Sequence, residues 1–256
     1  MLFETHAHYD DSRYDEDRAE ILQKAREAGV TYIINISSDR ESIEKTLSLS
    51  KKYEYIYAAI GLHPSCCEGM DGTETEKMTE LAAAPKVVAV GEIGLDYHYD
   101  EPSREFQRKC FRMQIEMAKN LKLPILIHDR DAHDDILNIV KEENAGEFGG
   151  TFHAFSGSLE MAKQVLKLGF HISIGGVVTF KNARKLLDVV KYVPLDRMLI
   201  ETDCPYLAPD PFRGQRNYSG YLTYIAQKIA ELKNSDYEEV ASITTKNAIE
   251  LFKIGG

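Results

Sequence analysis

The sequence has no tryptophan, only four cysteines in 256 residues, and no uncharged apolar stretch that approaches the length of a membrane span. A transmembrane helix needs about 20 consecutive apolar residues, so a membrane-spanning segment is excluded on length. A secretory signal peptide has an apolar run near its start, whereas this chain has Glu4 and His6 there. We therefore expect a cytoplasmic protein with no membrane association.

The cysteines are too few and too scattered for a disulfide framework. Cys66 and Cys67 are adjacent, Cys110 and Cys204 are isolated, and no Cys-x-x-Cys pair occurs. Because a disulfide between adjacent cysteines is strained, the pattern favours free thiols in a reducing compartment. A chain of this length can bury a core large enough to fold without disulfides or a structural metal.

The chain also has fewer basic than acidic residues. The 31 Lys and Arg residues stand against 41 Asp and Glu residues, which gives a formal net charge of −10. Proteins that bind nucleic acid over a broad face carry clustered Lys and Arg, so an extended cationic surface is excluded. Any contact with nucleic acid must therefore be local, or assisted by bound cations.

The chain has no linker, low-complexity tract or break in composition, which predicts a single domain over residues 1–256. Short β-branched runs alternate with longer amphipathic stretches. Most of the short runs are continuously apolar, as expected for parallel strands that are covered on both faces. The runs are Met1–Thr5, Thr31–Ser37, Tyr55–Ile60, Val87–Val90, Pro124–Ile127, Thr151–Phe152, Phe170–Ile174 and Met198–Ile200.

Eight strands alternating with helices in a chain of this length predict an α/β fold of the (β/α)₈ TIM barrel type. Two helices, Tyr218–Lys233 and Tyr237–Phe252, close the chain, so an extra C-terminal helix is expected. An open doubly wound sheet is the main alternative. That fold usually carries a Gly-rich phosphate loop after its first strand, where this chain has His6 and His8 instead.

Residue types that bind metals follow five of the eight predicted strands. Barrel enzymes place their chemistry at these carboxyl ends of the strands. His6 and His8 are two residues apart, so on a strand both face the barrel interior. Four histidines and two carboxylates exceed the needs of one tetrahedral ion and suit two ions about 3.5–4 Å apart that share a carboxylate. The candidate ligands are His6, His8, Glu92, His128, His153 and Asp203.

Glu92 is the natural bridge between two ions, because it lies on the fourth strand, across the barrel from His6 and His8. Many binuclear barrel amidohydrolases use a carboxylated lysine at that place. The nearest lysine here, Lys86, lies at the opposite end of the strand, about 20 Å away at about 3.3 Å per residue. Imidazoles favour Zn, Mn, Fe or Co and carboxylates also accept Mg, so the ligand types leave the metal open.

Several motifs, taken in order along nearly the whole chain, resemble the TatD family of metal-dependent deoxyribonucleases, which lies within the amidohydrolase-like barrels. Each motif alone is weak evidence, whereas their joint occurrence in this order is specific. The chain departs from the family pattern after Arg213–Asn217. In the family this segment is usually followed by Glu-Pro, whereas here Tyr218 and Ser219 follow it. The matching segments are Glu4–His8, Gly61–Pro64, Gly91–Tyr97, Pro124–Arg130, Phe152–Gly157, Thr179–Ala183 and Glu201–Pro209.

The resemblance implies a metal-dependent nuclease that uses two divalent ions, Mg²⁺, Mn²⁺ or Zn²⁺. It implies that His6, His8, Glu92 and Asp203 hold the first ion and that Glu92, His128 and His153 hold the second. Asp203 would also act as the general base on the metal-activated water, which makes Asp203 and Glu92 the catalytic carboxylates.

The substrate implied by the resemblance is DNA, single-stranded or at strand ends, digested as by a 3′–5′ exonuclease. Candidates for contacts to it are His63, Arg130, Arg213 and Arg216. Arginine can pair bidentately with phosphate oxygens, although a surface ion pair explains each arginine equally well. His63 precedes Pro64 and is equally explained as a turn residue. Lys181, Arg184 and Lys185 either flank a bound backbone or form a solvated helix face.

Two other functions remain open. A hydrolase with the same metal ligands could act on an ester or amide, as a D-aminoacyl-tRNA deacylase, a lactonase or another small-molecule amidohydrolase does. Metal-dependent turnover of an ester with no effect on DNA would identify it. A metal-binding scaffold that binds nucleic acid or a partner protein without turnover is the third possibility, and an activity that requires Asp203 would exclude it.

Overall fold

The computed structural model describes residues 1–99 and 101–255, in which eight parallel strands alternate with α-helices. The strands are β1 (Leu2–Ala7), β2 (Val30–Ile36), β3 (Ile56–Ile60), β4 (Val87–Asp96), β5 (Ile125–Arg130), β6 (Gly150–Phe152), β7 (His171–Ile174) and β8 (Met198–Ile200). The helices are α1 (Arg18–Glu27), α2 (Arg40–Lys52), α3 (Gly72–Ala82), α4 (Arg104–Leu121), α5 (His133–Glu142), α6 (Leu159–Lys167), α7 (Arg184–Tyr192), α8 (Leu222–Lys233) and α9 (Tyr237–Phe252). None of these helices has the length and apolarity that a membrane span requires.

The strands pair in the order of the sequence, from β1 to β8, and every pair is parallel. The ring closes just beyond β8, where Ala7 forms a parallel bridge with Cys204 and His8 N donates to the Cys204 carbonyl at 2.8 Å. Helices α1 to α8 each follow the strand of the same number, and α9 is additional. The predicted (β/α)₈ barrel with an extra C-terminal helix is therefore confirmed.

The strands bury both of their faces, which explains their continuously apolar sequences. Adjacent residues of one strand, such as Leu2 and Phe3, belong to different core clusters because successive side chains point to opposite faces. The larger cluster includes residues of the surrounding helices, and the smaller one includes Phe252 of α9. Phe252 stacks on Phe3 and Asn247 donates to the Met198 carbonyl, so α9 covers the amino ends of β1 and β8.

Three strands reach further than their apolar runs predicted, and each extension leads into the cluster of candidate ligands. β4 continues from Val90 to Asp96, and between Val90 and Ile93 it carries one residue more than β5. Such a bulge re-aims a side chain, and here Glu92 lies within it. The extension of β1 to Ala7 places His6 inside that strand, while the extension of β5 to Arg130 does the same for His128.

Two sequence-based expectations were wrong in detail. His8 lies one residue beyond the end of β1, so only His6 of the pair is on the strand itself. The helix predicted from Tyr218 begins instead at Leu222, after a 3₁₀ turn over Ser219–Tyr221. The hydroxyl of Tyr9 lies 2.8 Å from Ser219 Oγ and accepts a hydrogen bond from Ser219 N, and these contacts hold the turn against the barrel.

Candidate metal centre

Four of the candidate ligands meet where β1 and the segment after β8 converge. The Nε2 atoms of His6 and His8 lie 3.2 Å apart. Asp203 Oδ1 lies 3.8 Å from His6 Nε2 and 3.4 Å from His8 Nε2, and Glu92 Oε2 lies 3.5 and 3.7 Å from the same two atoms. One ion placed among these atoms could take two imidazole nitrogens and two carboxylate oxygens.

The other oxygen of Glu92 faces a second pair of imidazoles. Glu92 Oε1 lies 2.6 Å from His128 Nδ1 and 2.7 Å from His153 Nε2, and those two nitrogens are 3.2 Å apart. Glu92 therefore lies between two sets of nitrogen donors with one oxygen directed to each. This is the geometry that a carboxylate shared by two ions requires.

Hydrogen bonds behind the ligands orient two of the histidines, His8 and His128. The second ring nitrogen of His8, Nδ1, lies 2.9 Å from the Ile36 carbonyl, which can only accept, so Nδ1 carries a proton and Nε2 is the nitrogen that faces the other ligands. His128 Nε2 lies 3.3 Å from Asp96 Oδ2, which leaves Nδ1 directed at Glu92. Partners of this kind set the tautomer and orientation of histidines that bind metals.

The donor set fits divalent cations. All six ligand side chains supply imidazole nitrogen or carboxylate oxygen, the donors that Zn²⁺ and Mn²⁺ prefer. Groups of ligand atoms close enough for one ion occur here, such as His6, His8 and Asp203. A bound ion would use donors that otherwise crowd together in a buried site.

The charges of the cluster are strongly coupled. Burial would raise the pKa of Glu92, but the neighbouring His153 and His128 outweigh burial and hold that pKa well below its usual value. Burial would lower the pKa of His8, yet its hydrogen bond with Asp203 and the surrounding carboxylates raise that pKa to about 9. Without metal, His8 therefore carries a proton at neutral pH, and an ion has to displace that proton to bind.

A sequence profile described as "TatD related DNase" matches residues 3–253. The chain belongs to the TatD family. The metal-dependent hydrolase YabD of Bacillus subtilis is 49% identical over 254 residues, which cover 99% of this chain and 100% of YabD. The metal-dependent hydrolase YcfH of Escherichia coli is 37% identical over 257 residues, covering 99% of this chain and 96% of YcfH.

Solved structures of TatD proteins share the fold. The TatD homologue YjjV of E. coli superposes with a TM-score of 0.93 at 34% identity, covering 99% of this chain and 98% of YjjV. A TatD family hydrolase of Entamoeba histolytica gives a TM-score of 0.89 at 25% identity, covering 98% and 97% of the two chains. The TatD family and the TIM barrel, both predicted from the motifs, are thus confirmed, and the chain is a metal-dependent hydrolase.

The TatD-family ligand cluster opens into a cavity of about 790 Å³, called the main cavity below, and two of the predicted substrate contacts line it. His63 caps the 3₁₀ turn Pro64–Cys66 through its Nδ1, and its ring centroid lies 4.3 Å from that of His128. His63 therefore has the turn role that was one of the two predicted interpretations, and its ring also lies against the ligand cluster. Burial lowers the pKa of His63 to about 4, so the ring is neutral at pH 7. The other contact, Arg130, has its Nη1 4.0 Å from Asp96 Oδ2.

The other two predicted contacts are not among the described residues that line the main cavity. Arg216 forms an ion pair with Asp17 and contacts the ring of Tyr14. Arg213 is exposed, and its guanidinium lies 4.4 Å from the centre of the Phe180 ring. The structure thus brings His63 and Arg130 to the ligand cluster and places Arg213 and Arg216 elsewhere.

Two buried carboxylates near the cluster had no predicted role. Glu201 Oε1 accepts from Ala154 N at 2.5 Å and lies 3.4 Å from His153 Nδ1. Glu4 accepts hydrogen bonds from the backbone and hydroxyl of Thr202 and from His6 N, so it joins β1 to the segment after β8. The available signal for Glu201 was its position, directly after β8 and two residues before Asp203.

Proposed function

We propose that this TatD-family hydrolase is a nuclease that holds two divalent ions, Mg²⁺, Mn²⁺ or Zn²⁺, and hydrolyses phosphodiester bonds of single-stranded DNA from its 3′ end. The observation that carries the proposal is the position of Glu92, with one oxygen facing His6 and His8 and the other facing His128 and His153. The description of the family as DNases supports the choice of substrate.

Each ion would have its own ligand set. His6, His8 and Asp203 with Glu92 Oε2 would hold the first, and His128 and His153 with Glu92 Oε1 would hold the second. When bound, two divalent ions lower the pKa of water and stabilise the negative charge on a phosphodiester in an in-line displacement. Their charge of +4 also offsets the carboxylates of the cluster, which allows an anionic substrate to approach a protein of net charge −10.

Asp203 is suited to accept the proton of the attacking water. Burial would raise its pKa, but the hydrogen bond from His8 and the charge of His6 lower it below its usual value. The carboxylate is therefore ionised at neutral pH, and its side chain keeps 15% exposure at the rim of the cluster. A backbone bond from Asp203 N to the His6 carbonyl, 3.0 Å, holds the loop in place.

His63 and Arg130 are the side chains best placed to contact the phosphate. Both line the main cavity together with the ligands. The neutral ring of His63 can donate one hydrogen bond, while the guanidinium of Arg130 can pair with non-bridging oxygens. Arg130 has only Asp96 as an ionic partner among the described residues, and at 4.0 Å that contact is long.

Digestion of single-stranded DNA by metal-stripped protein tests the proposal. The DNA is labelled at its 5′ end in one reaction and at its 3′ end in another, and Mg²⁺, Mn²⁺ or Zn²⁺ is added back singly to the protein. We expect stepwise loss of nucleotides from the 3′ end. Asp203→Asn should lower the rate by at least about 100-fold, as expected for loss of a general base. Asp196→Asn changes an exposed aspartate ahead of β8 and serves as the matched control.

If DNA stays intact in the presence of every metal while a lactone or an aminoacyl ester is hydrolysed, the nuclease proposal is wrong and the ester hydrolase is correct. Binding of metal without turnover of either substrate would indicate the scaffold.

A further inference from the structure

A second cavity, called the flanking cavity below, lies beside the metal centre and has a different character. Its volume is about 410 Å³, and Asp203 lines both this cavity and the main one, so the two meet at the predicted general base. Its walls are mostly apolar and include Phe155, Val177, Leu186 and Leu207. Apolar walls of this kind suit an aromatic ring more than a phosphate.

The floor of the flanking cavity holds a buried acceptor with no partner. Glu201 lines the cavity and has no exposed surface, and its Oε2 makes no hydrogen bond within residues 1–99 and 101–255. Its other oxygen is held by Ala154 N, which fixes the orientation of the carboxylate. A buried acceptor without a partner is costly, so a ligand that donates an N–H or O–H there would be favoured.

The rim of the flanking cavity is formed by the amino end of α7. Asn182, Ala183, Arg184 and Lys185 line this rim, and no side chain in the described part of the chain caps the helix. Two cations in the first turn are unfavourable next to the positive end of the helix dipole, and an anion bound there would reverse that effect. The backbone N–H groups of this turn are therefore available to a phosphate.

The cations at this rim form no ion pair among the described residues, whereas carboxylates surround the main cavity. Within the described residues, Lys181, Arg184 and Lys185 form no ion pair within 4 Å, and all three are exposed. At the main cavity, Lys45 pairs with Glu41 at 2.7 Å, and Asp10 and Asp39 add further negative charge. A polyanion is therefore attracted to the α7 side and repelled from the opposite side.

We propose that the flanking cavity binds the nucleoside on the retained side of the scissile bond, and that the amino end of α7 with Arg184 and Lys185 binds the next phosphate along the strand. The base lies against the apolar walls and donates an N–H to Glu201 Oε2, a donor that all four DNA bases possess. The inference rests on the proposed nuclease function. The acidic main cavity then receives only the terminal nucleotide, because a longer chain there would place phosphates next to Asp10 and Asp39.

Binding without turnover tests this proposal independently of the activity. The metal-stripped protein in EDTA is titrated into two fluorescent eight-residue probes, oligothymidylate and the same sugar-phosphate backbone without bases. Stacking of a base on a protein surface contributes a factor of about 5–100, so oligothymidylate should bind about 10-fold or more tightly than the base-free probe.

Two sets of variants separate the base contact from the phosphate contact. Val177→Trp fills the flanking cavity and should weaken oligothymidylate to the level of the base-free probe without changing the latter. Ser156→Trp changes an exposed residue of the same wall and provides the same test if Val177→Trp does not fold. The double substitution of Arg184 and Lys185 by Ala should weaken both probes and reduce the slope of log K against log salt by about 0.7, the value for the loss of one phosphate contact on a single strand.

Lys51 and Lys52 provide the matched control, since they are also adjacent, exposed and on a helix, but lie in the last turn of α2. Their replacement by Ala should change the salt slope by much less. Equal binding of the two probes by the wild type, or an equal effect of the two double substitutions, would overturn the proposal. Preference for the probe with bases, without DNA hydrolysis under any metal, would leave the cavity assignment intact and contradict only the nuclease function.

Discussion

His6 Nε2 and His8 Nε2 lie 3.2 Å apart, although His6 is on β1 and His8 is one residue beyond it. The contact of His8 Nδ1 with the Ile36 carbonyl orients that ring, and the ladder bond from His8 N to the Cys204 carbonyl fixes the backbone. The two free nitrogens converge because the barrel closes at this point. They are therefore placed so that one ion could take both nitrogens.

Replacing His8 by Ala should remove one donor from the first ion. Loss of a residue that only orients a ligand lowers metal affinity by about 10–100-fold, so loss of the ligand itself should cost at least about 100-fold. Titration calorimetry with Zn²⁺ measures this effect. His171→Ala, at the start of β7, is the control, and an unchanged affinity of His8→Ala would contradict the assignment.

Asp96 orients His128 from behind, with Oδ2 3.3 Å from Nε2. We expect Asp96→Asn to lower the affinity for the second ion by about 10–100-fold while leaving the first ion bound. Asp131→Asn removes a similar contact to His98, 3.5 Å long but exposed, and should leave both affinities unchanged. Competition with a chromophoric chelator resolves the two binding steps.

The stability of the metal-free protein should fall as the pH rises from about 6.5 to 9. Burial raises the pKa of Glu4 from 4.5 to about 8, and the carboxylates around His8 overcome its burial and raise its pKa from 6.5 to about 9. In these windows the folded state binds more protons than the unfolded state, so the free energy of unfolding decreases as pH rises. Between about pH 4.5 and 6.5 the net slope from these groups is small, because burial lowers the pKa of His63 from 6.5 to about 4 and the resulting rise in stability opposes the decline due to Glu4.

Urea unfolding at a series of pH values measures the effect. Glu4→Gln cannot ionise and should remove about half of the decline between pH 6.5 and 8, because His8 contributes the other half; the share of Glu4 is on the order of 2 kcal/mol. Saturating Zn²⁺ should reduce the remaining decline, because it holds His8 neutral in the folded state. A metal-free protein that becomes more stable from pH 6.5 to 9 would contradict the assignment of both groups.

Gly94 allows β4 and β5 to approach each other next to His128. Its φ is +148°, and a Cβ added there would lie 2.0 Å from the His128 carbonyl oxygen. Gly94→Ala should therefore destabilise the protein by about 3 kcal/mol or more and displace His128. Gly214 also has a positive φ, +86°, but nothing lies within 4 Å of an added Cβ, so Gly214→Ala should cost only about 1 kcal/mol. Thermal unfolding compares the two, and equal losses would contradict the role given to the close approach.

The sequence alone was enough to predict the barrel and the residues that converge at the carboxyl ends of its strands, and the reason is physical. Continuously apolar runs mark strands covered on both faces, and the carboxyl ends of parallel strands must meet at one end of a closed sheet. His128 and Asp203, 75 positions apart in the chain, could therefore be assigned to one site from strand order alone.

What could not be predicted depends on backbone detail. The bulge at Glu92 and the carbonyl of Ile36 leave no signature in side-chain pattern, because both concern main-chain geometry. Arg213 and Arg216 have the chemistry of phosphate ligands, but their contacts with Phe180 and Asp17 depend on loop conformation. Glu201 was visible after β8, yet only the folded barrel shows that it lies against His153.

Glu92 is proposed to join two metal sites, and the metal content of the Glu92→Ala variant measures whether it does. Equilibrium dialysis against Mn²⁺ or Zn²⁺, followed by elemental analysis, should give two ions per chain for the wild type and at most one, weakly held, for the variant. Hydrolysis of end-labelled single-stranded DNA should be lost in parallel, while the circular dichroism spectrum stays unchanged. Two tightly bound ions in folded Glu92→Ala, with hydrolysis retained, would contradict the account.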